Sequence, residues 1–377
     1  MHKTSILLLT FLLLACTGGA AWANEPVQVD GLSFESWQDY YQSDYFKAGD
    51  RCATPSREAR AQFLGVDLSP FPDFQANALG GPAPSDCSAS NTNPTSDYDP
   101  SVVYEIPVVV HILMTSDCGT GVISDELVDS QIEILNEDFA AILGTNGENG
   151  NNAEIRFVLA DTDPNGDPTT GITRDCNTTW FNDGGSYWNS LAWDPFNYMN
   201  IYTNTAGGAL GYVPFLPADN GGAFVGGASD RVVVLWDAFG RDAPRGPPYD
   251  QGRTATHEVG HYLGLEHTFS GGCADSSMPG CYSSGDLICD TNSEQNPTFS
   301  PCGLGDKSTC GSVDPSDNYM DYSDDLCMMQ FTQEQNSRMR CSLFHYRSEL
   351  FNVGAGEDIF TDGFESGDTT SWSSEGP

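Results

Sequence analysis

Basic residues are scarce in this chain, with 15 Lys and Arg against 53 Asp and Glu and a formal net charge of −38 at pH 7. A surface this acidic repels phosphate backbones, which argues strongly against nucleic-acid binding. After its first residues the chain also lacks any apolar run of the roughly 18 to 20 residues that a membrane helix requires, and no repeat of about 20 to 50 residues is evident. We therefore expect neither a nucleic-acid partner nor a membrane span.

The first residues have the composition of a secretory signal peptide. Lys3 precedes an apolar run over residues 6–15, and residues 21–23, Ala-Trp-Ala, provide the small side chains of a cleavage site. The run is too short to span a bilayer. We expect a signal peptide over residues 1–23 and an exported protein. In the alternative, the run Leu-Leu-Ala-Cys ending at Cys16 is a bacterial lipobox, and Cys16 carries a lipid anchor.

Three of the six histidines, His257, His261 and His267, lie in a stretch that fits H-E-x-x-H-x-x-G-x-x-H at all five fixed positions. Histidines four residues apart project from one face of a helix, so both can bind one metal ion, while Glu258 points beside the metal as the general-base candidate. Gly264 permits the left-handed conformation that ends a helix and returns His267 as third ligand. Three protein ligands leave a fourth position open, which indicates catalytic Zn²⁺. The alternative is a buried helix with incidental histidines.

Downstream, the stretch 318–322, Asn-Tyr-Met-Asp-Tyr, resembles the Met-turn of the metzincin metallopeptidases. In metzincins a methionine lies beneath the metal-binding histidines, and the resemblance gives that place to Met320. It also places Tyr322 near the metal, where the phenol would donate a hydrogen bond to a developing oxyanion. Taken without the histidine motif, both residues are more simply explained as core packing.

More narrowly, the chain resembles the pappalysin family of metzincins over roughly residues 103–350. The resemblance rests on His267-Thr268-Phe269 before Gly271-Gly272-Cys273, on Gly285-Asp286 with Asp290-Thr291, on the Met-turn running into Cys327-Met328 and Phe331-Thr332, and on the run from Ile106 to His111 with the helix ending at Phe139. The loop after the histidines departs from the family at Cys281, Cys289 and Asn292.

The family resemblance implies an α+β fold of the metzincin type, with a twisted mixed sheet, a backing helix and an active-site helix, and upper and lower subdomains around a cleft. Periodicity predicts strands over 102–113, 154–160, 198–203 and 230–236, and helices over 124–141 and from Thr332 to about Phe351. The glycine-rich stretch 206–212 is either a substrate-binding edge strand or a flexible loop. We divide the chain into a signal peptide (1–23), a pro-segment and linker (24–100), a catalytic domain (101–351) and an acidic tail (352–377).

Twelve cysteines in an exported protein predict a disulfide framework, and loss of Cys16 would leave an odd number. The segment 51–55, Arg-Cys-Ala-Thr-Pro, resembles the cysteine switch of a pappalysin propeptide, in which Cys52 ligates zinc in the zymogen. The alternative is that Cys52 forms a structural disulfide. The resemblance further implies two disulfides, Cys273–Cys310 and Cys302–Cys327.

Acidic residues downstream of the histidines also match family positions. Asp286, Thr291 and Glu294 match a calcium-binding stretch, for which the alternative is a solvent-exposed turn. Asp324 and Asp325 match the wall of the specificity pocket and would favour a basic side chain after the scissile bond.

These features predict a secreted zinc-dependent endopeptidase that is made as a zymogen and acts, as a monomer, on protein or peptide substrates. Zn²⁺ is the expected cofactor, and Ca²⁺ is a second candidate. One alternative is a catalytically idle zinc-containing binding or adhesion protein, against which the open fourth position and Glu258 argue. The other is a peptidase of another metzincin family.

Overall fold

The computed structural model describes residues 27–29, 32–34, 51–64, 84–87, 96–274, 277, 280–299 and 307–354. The predicted signal peptide, most of the predicted pro-segment and most of the tail lie outside the described residues, as do Cys16 and Cys302. None of the helices in the described ranges is long and apolar enough to cross a membrane.

The elements follow one another in mixed order along the chain. The strands are β1 Val27–Val29, β2 Leu32–Phe34, β3 Val103–Met114, β4 Ile155–Leu159, β5 Ile172–Cys176, β6 Met199–Asn204, β7 Gly211–Tyr212, β8 Val232–Leu235 and β9 Asn352–Gly354. The α-helices are α1 Arg57–Leu64, α2 Asp125–Phe139, α3 Thr178–Phe181, α4 Trp188–Leu191, α5 Arg253–Tyr262 and α6 Gln333–Tyr346. Short 3₁₀ helices are Pro84–Cys87, Ser96–Tyr98, Ala206–Gly208, Asp219–Gly222, Trp236–Ala238 and Gly280–Tyr282.

Strand β3 is the centre of the main sheet, because its β-branched run is largely buried and pairs along both edges. Strands β4 and β5 pair in parallel with successive parts of one edge, and β6 pairs in parallel with the other. The sheet continues through parallel β8 to antiparallel β7, while β9 lies antiparallel to the start of β3. The result is the open, mixed α+β sheet that the resemblance implied.

The predicted strands and the helix over 124–141 lie within a few residues of their expected bounds, but helix α6 is shorter than predicted. Thr332 caps it as expected, in a reciprocal capping box with Gln335. The helix ends at Tyr346 rather than near Phe351, and the chain then forms β9. Arg347, just past the helix end, makes a buried ion pair with Asp230 at 2.5 and 2.9 Å. This nonlocal pair fixes where the chain leaves the helix.

The disulfides agree in part with the prediction. Cys273 pairs with Cys310 as expected. Cys327 is also disulfide-bonded, whereas its predicted partner lies outside the described residues. Three further pairs were not predicted: Cys87–Cys341, Cys118–Cys176 and Cys281–Cys289. Cys52 is unpaired and buried, so the alternative that placed it in a structural disulfide is wrong.

The buried carboxylate of Asp138, in helix α2, contacts both helix α5 and the Met-turn at residues 318–322. It accepts hydrogen bonds from Thr256 Oγ1 of α5 at 2.6 Å and from the Tyr319 hydroxyl at 2.9 Å, and it pairs with Arg253 Nη2 at 3.1 Å. Burial raises the pKa of Asp138 to about 6, and the three partners oppose that rise. Asp138 therefore ties α2, α5 and the Met-turn together.

Asp138→Ala removes the acceptor that these buried donors share and leaves Arg253 without its carboxylate. Breaking a buried pair from one side typically costs about 3 to 5 kcal/mol. We expect the free energy of unfolding, measured in urea, to fall by that order. The control is Glu105→Ala, whose ion pair with Arg156 is partly exposed and long, at 3.8 Å. Equal losses in the two variants would contradict the role assigned to Asp138.

Candidate metal centre

The three histidines of the motif converge as predicted. His257 and His261 lie one turn apart on α5, and their Nε2 atoms are 3.1 Å apart. His267 follows the helix, and its Nε2 lies 3.0 Å from that of His261. The chain turns back at Gly264, whose φ of +103° lies in the left-handed region. All three imidazoles are buried.

The hydrogen bonds of the Nδ1 atoms determine whether the Nε2 atoms present a proton or a lone pair to the centre of the cluster. His257 Nδ1 lies 2.7 Å from the Tyr319 carbonyl oxygen, and His261 Nδ1 lies 2.7 Å from that of Leu265. A carbonyl only accepts, so each Nδ1 carries the proton and each Nε2 presents a lone pair. Burial lowers the pKa of His257 to about 4, which keeps the ring neutral. Converging lone pairs repel one another unless a cation lies between them.

The spacing of the three nitrogens suits zinc. Tetrahedral coordination with Zn–N bonds of about 2.0 to 2.1 Å places two ligand nitrogens about 3.3 Å apart. The two Nε2 separations of 3.0 and 3.1 Å are close to that value. The residues of this chain therefore fit the ion that the motif implies.

Glu258 lies beside the cluster with one carboxylate oxygen free. Its Oε2 lies 3.4 Å from Cys52 Sγ and 3.2 Å from Thr54 Oγ1, whereas Oε1 has no hydrogen-bond partner among the described residues. Burial raises the pKa of Glu258 to about 8, and the hydrogen bonds from Cys52 and Thr54 oppose the rise. The carboxylate can therefore accept or donate a proton beside the metal position.

Met320 and Tyr322 both lie beside the histidines of the motif. Met320 is fully buried against α5, and a Cβ at Gly260 would lie 2.5 Å from its Sδ, so the helix needs glycine there. The ring of Tyr322 lies 5.1 Å from that of His267, centroid to centroid. Its hydroxyl donates to the Cys52 carbonyl oxygen at 3.2 Å. The phenol thus already binds a peptide carbonyl next to the cluster.

Residues 51–64, called the N-terminal segment below, enter the cleft and pair with strand β7. The Ala53 amide donates to the Gly211 carbonyl at 2.8 Å, and the Leu210 amide donates to the Arg51 carbonyl at 2.9 Å. Residues 211–212 of the glycine-rich stretch form the edge strand β7, so the stretch is not simply a flexible loop, and substrate binding along it stays a prediction. Cys52 Sγ joins the three histidines, with all four candidate ligand atoms within 4.8 Å of one another. Burial, followed by Glu258, raises the pKa of the Cys52 thiol well above its usual value.

On one side of the cluster, the segment places a guanidinium against an acidic residue. Arg51 pairs with Asp324 at 3.5 Å, donates to the Tyr322 carbonyl and lies over the ring of Tyr249, 4.7 Å from its centroid. Asp325 is buried and accepts from the backbone amides of Gln251 at 2.8 Å and Arg253 at 3.3 Å. Of the two predicted specificity residues, Asp324 is therefore the one that contacts a cation.

On the other side, two arginines of α1 meet two buried carboxylates that sequence reasoning did not single out. Arg60 pairs with Glu266 at 2.5 Å and with Asp219 at 2.8 Å, and Arg57 pairs with Glu266 at 3.4 Å. Although burial opposes it, the two arginines lower the pKa of Glu266 to about 2. The signal was present in the sequence, since Glu266 fills an unspecified position of the motif directly before His267.

The predicted calcium residues are only partly brought together. Thr291 Oγ1 donates to Asp286 Oδ2 at 2.7 Å, and both side chains are buried, so this is not an exposed turn. Burial raises the pKa of Asp286 to about 7. Glu294 instead accepts from Thr268 Oγ1 at 2.6 Å, next to the third histidine. The calcium role of this loop stays a prediction.

Converging imidazoles on and after one helix, a neighbouring carboxylate with one free oxygen and a methionine packed against that helix define a metzincin-type metallopeptidase. Comparison with known proteins narrows this class. The family profile of peptidase M43, described as pregnancy-associated plasma protein-A, matches residues 186–344. The chain belongs to this family, the pappalysins, as its motifs indicated.

Several relatives and solved structures are similar to most of the catalytic region. Extracellular metalloprotease 1 of Coccidioides posadasii is 35% identical over 249 residues, which cover 65% of this chain and 78% of that protein. An extracellular metalloprotease of Colletotrichum graminicola is 34% identical over 255 residues, covering 64% and 77%. A mutant of Tannerella forsythia promirolysin has a TM-score of 0.57 at 36% identity, covering 67% and 85%. Mature mirolysin with a cleaved peptide has a TM-score of 0.54 at 35% identity, covering 67% and 100%.

Gly264→Ala tests whether the turn at Gly264 sets the third ligand. Left-handed backbone costs a residue with a Cβ about 1 to 2 kcal/mol, and the new Cβ would also lie 2.4 Å from Ser342 Oγ. We expect lower stability in urea and lower zinc occupancy by equilibrium dialysis. The control is Gly144→Ala, because Gly144 has a φ of +87° and no atom within 4 Å of a built Cβ. Zinc occupancy that fell equally in both variants would show that the turn is not special.

Proposed function

We propose that this chain is a secreted zinc-dependent endopeptidase that is synthesised as a zymogen. The observation that carries the proposal is the convergence of three imidazole Nε2 atoms beside the partly free carboxylate of Glu258, in a cleft that holds a peptide segment along strand β7. The relatives named extracellular metalloproteases support both the activity and the location, with residues 1–23 as the export signal. They give no support to a lipid anchor at Cys16.

In this proposal, His257, His261 and His267 would hold zinc through Nε2, and the bound ion would supply a Lewis acid for the substrate carbonyl. Glu258 takes a proton from the attacking water at a carboxylate oxygen and later delivers it to the nitrogen of the leaving amine. Tyr322 donates its phenolic hydrogen to the developing oxyanion, as it now donates to the Cys52 carbonyl. The extended substrate backbone binds along β7 by main-chain hydrogen bonds.

Latency in this proposal comes from Cys52. Its sulfur is the fourth candidate ligand beside the three histidines, and the segment around it uses the β7 edge that a substrate requires. A thiolate is a good zinc ligand and excludes water from the fourth position. A binding protein with a permanently closed zinc site is less favoured, because this fourth ligand comes from the segment proposed for removal.

Two finer assignments are part of the same proposal. Asp324, which contacts the guanidinium of Arg51, favours a basic side chain after the scissile bond. Asp286 and Thr291 bind Ca²⁺ and stiffen the loop after the third histidine. The enzyme acts as a monomer.

Glu258→Gln is expected to abolish peptidase activity without loss of zinc, because the amide cannot take the proton from water. We expect kcat/KM on a peptide library to fall by about three orders of magnitude or more, with unchanged zinc per chain by atomic absorption. A zinc chelator such as 1,10-phenanthroline should abolish the activity of the unsubstituted mature enzyme, and added zinc should restore it. Near-normal activity of Glu258→Gln, or activity that resists the chelator, would refute the proposed mechanism.

The disulfide Cys87–Cys341 links the predicted linker to helix α6 of the catalytic domain. Cys87, Tyr98 and Cys341 form a small buried cluster, and the Tyr98 hydroxyl donates to Asp86 Oδ2 at 2.7 Å. We therefore assign the end of the linker, from residue 84, to the mature enzyme. A cut before Cys87 releases the N-terminal segment from the enzyme. A cut after Cys87 leaves the segment covalently attached and at high effective concentration.

Two engineered cutting sites test this assignment. A recognition sequence for an unrelated protease is inserted after residue 75 in one full-length chain and after residue 90 in another. Without reductant, we expect the first cut to release the segment on gel filtration and to start peptidase activity, and the second cut to do neither. The paired change Cys87→Ser and Cys341→Ser should make the second cut activating, whereas Cys118→Ser with Cys176→Ser should not. Activation by the second cut with all native cysteines present would refute the tether.

A further inference from the structure

The N-terminal segment has positively charged side chains both before and after Cys52, the residue that joins the histidine cluster. Arg51, directly before Cys52, lies against Asp324, and Arg60, eight residues after Cys52, lies against Glu266 and Asp219. The first contact agrees with the specificity already proposed for Asp324. The second contact lies on the opposite side of Cys52 and has no role in the function proposed so far.

The pocket around Arg60 is built from buried charged groups. Arg60, Glu266 and Asp219 are 3%, 7% and 5% exposed. Arg60 Nη2 donates to Glu266 Oε1 at 2.5 Å, and its Nη1 donates to the carbonyl of Pro55 at 2.7 Å. Its Nε lies 2.8 Å from Asp219 Oδ2, which is ion-pair distance although the N–H is poorly aligned for a hydrogen bond. The two carboxylates thus hold one guanidinium almost out of contact with water.

Arg57 adds a second guanidinium at the rim of the pocket. Its Nε lies 3.4 Å from Glu266 Oε1, and its Nη2 donates to the Gly285 carbonyl at 2.7 Å. Within the described ranges, the ion pairs of Glu266 and Asp219 are made with arginines of the N-terminal segment alone. Removal of that segment therefore leaves two carboxylates without a cation next to the third histidine.

We propose that, in the mature enzyme, Glu266 and Asp219 form a subsite that binds an arginine side chain of the substrate on the side of the metal centre opposite Asp324. Two neighbouring carboxylates left without their arginine partners favour a new cation, and the planar guanidinium can bridge both of them as Arg60 does. The proposal rests on the proposed function and deepens it, because it names a second feature of the substrate.

The position of this subsite relative to the scissile bond follows from the two acidic contacts. If Asp324 binds the basic residue that follows the scissile bond, a substrate in the same cleft extends its preceding residues towards Glu266 and Asp219. The preferred substrates then carry one basic residue on each side of the bond that is cut. Asp219 accepts the Leu216 amide at 2.8 Å, so a contact outside the segment also holds the Asp219 side chain.

The test uses the full-length chain after activating cleavage and a set of peptides in which each position before the scissile bond carries either arginine or citrulline. Citrulline has nearly the same shape as arginine but no charge. We expect one such position to show at least a tenfold higher kcat/KM for arginine. In Glu266→Gln and in Asp219→Asn this ratio should fall to near one. The control Asp125→Asn, which removes an exposed carboxylate paired with Arg174, should keep the ratio of the unsubstituted enzyme.

A binding measurement separates this inference from catalysis. Mature enzyme carrying Glu258→Gln is titrated calorimetrically with a synthetic peptide of residues 51–64 and with the same peptide bearing citrulline in place of Arg60. We expect at least tenfold weaker binding of the citrulline peptide, and no such difference when Asp219→Asn is also present. Cleavage of the library without any arginine preference before the bond would overturn the subsite and leave the proposed function intact. No cleavage of any peptide would instead refute the proposed function, and the binding result alone would then decide whether the pocket accepts arginine.

Discussion

The metal centre depends on two backbone carbonyl groups that hold the outer nitrogens of His257 and His261. Because a carbonyl can only accept, these contacts fix both tautomers and aim the Nε2 lone pairs at one point. The Leu265 carbonyl is supplied by the turn that begins at Gly264, and the Tyr319 carbonyl by the Met-turn. The turn at Gly264 returns His267 to the cluster, and the Met-turn supplies the apolar side chain of Met320. Each of the two turns also determines which nitrogen of one imidazole carries the proton.

Ion pairs between the N-terminal segment and the cleft are a second feature of the site, beside the metal ligands. The chain has only 15 basic residues against 53 acidic ones, yet Arg51, Arg57 and Arg60 lie within ten residues of one another and all pair with carboxylates of the cleft. Buried carboxylates without a cation are costly. In the proposed zymogen, the segment therefore stabilises the latent form at the same carboxylates that the mature enzyme would present to its substrates.

The sequence predicted those features whose geometry is set locally. The spacing of His257 and His261 on one helical face, the turn at Gly264 and the strands β3, β4, β6 and β8 all follow from short-range patterns in the sequence. Features that join distant residues were not predictable in this way. Asp138 accepts hydrogen bonds from α5 and the Met-turn, which lie far from it in the chain. The end of α6 depends on an ion pair with Asp230. Cysteine spacing alone does not specify the pair Cys87–Cys341. Glu266 was visible in the motif, but its role requires the arginines that meet it.

The N-terminal segment forms hydrogen bonds and close contacts with the same groups that the proposed reaction uses. The Tyr322 hydroxyl binds the Cys52 carbonyl, Glu258 contacts both Cys52 and Thr54, and the segment backbone pairs with β7 at Gly211. Each of these polar groups is buried, and each would lack that partner if the segment left without replacement. Water and substrate can supply the missing partners only once the cleft opens. In the proposed zymogen, latency and catalysis are therefore two ways of satisfying one set of polar groups, so a short segment would suffice to keep the enzyme inactive.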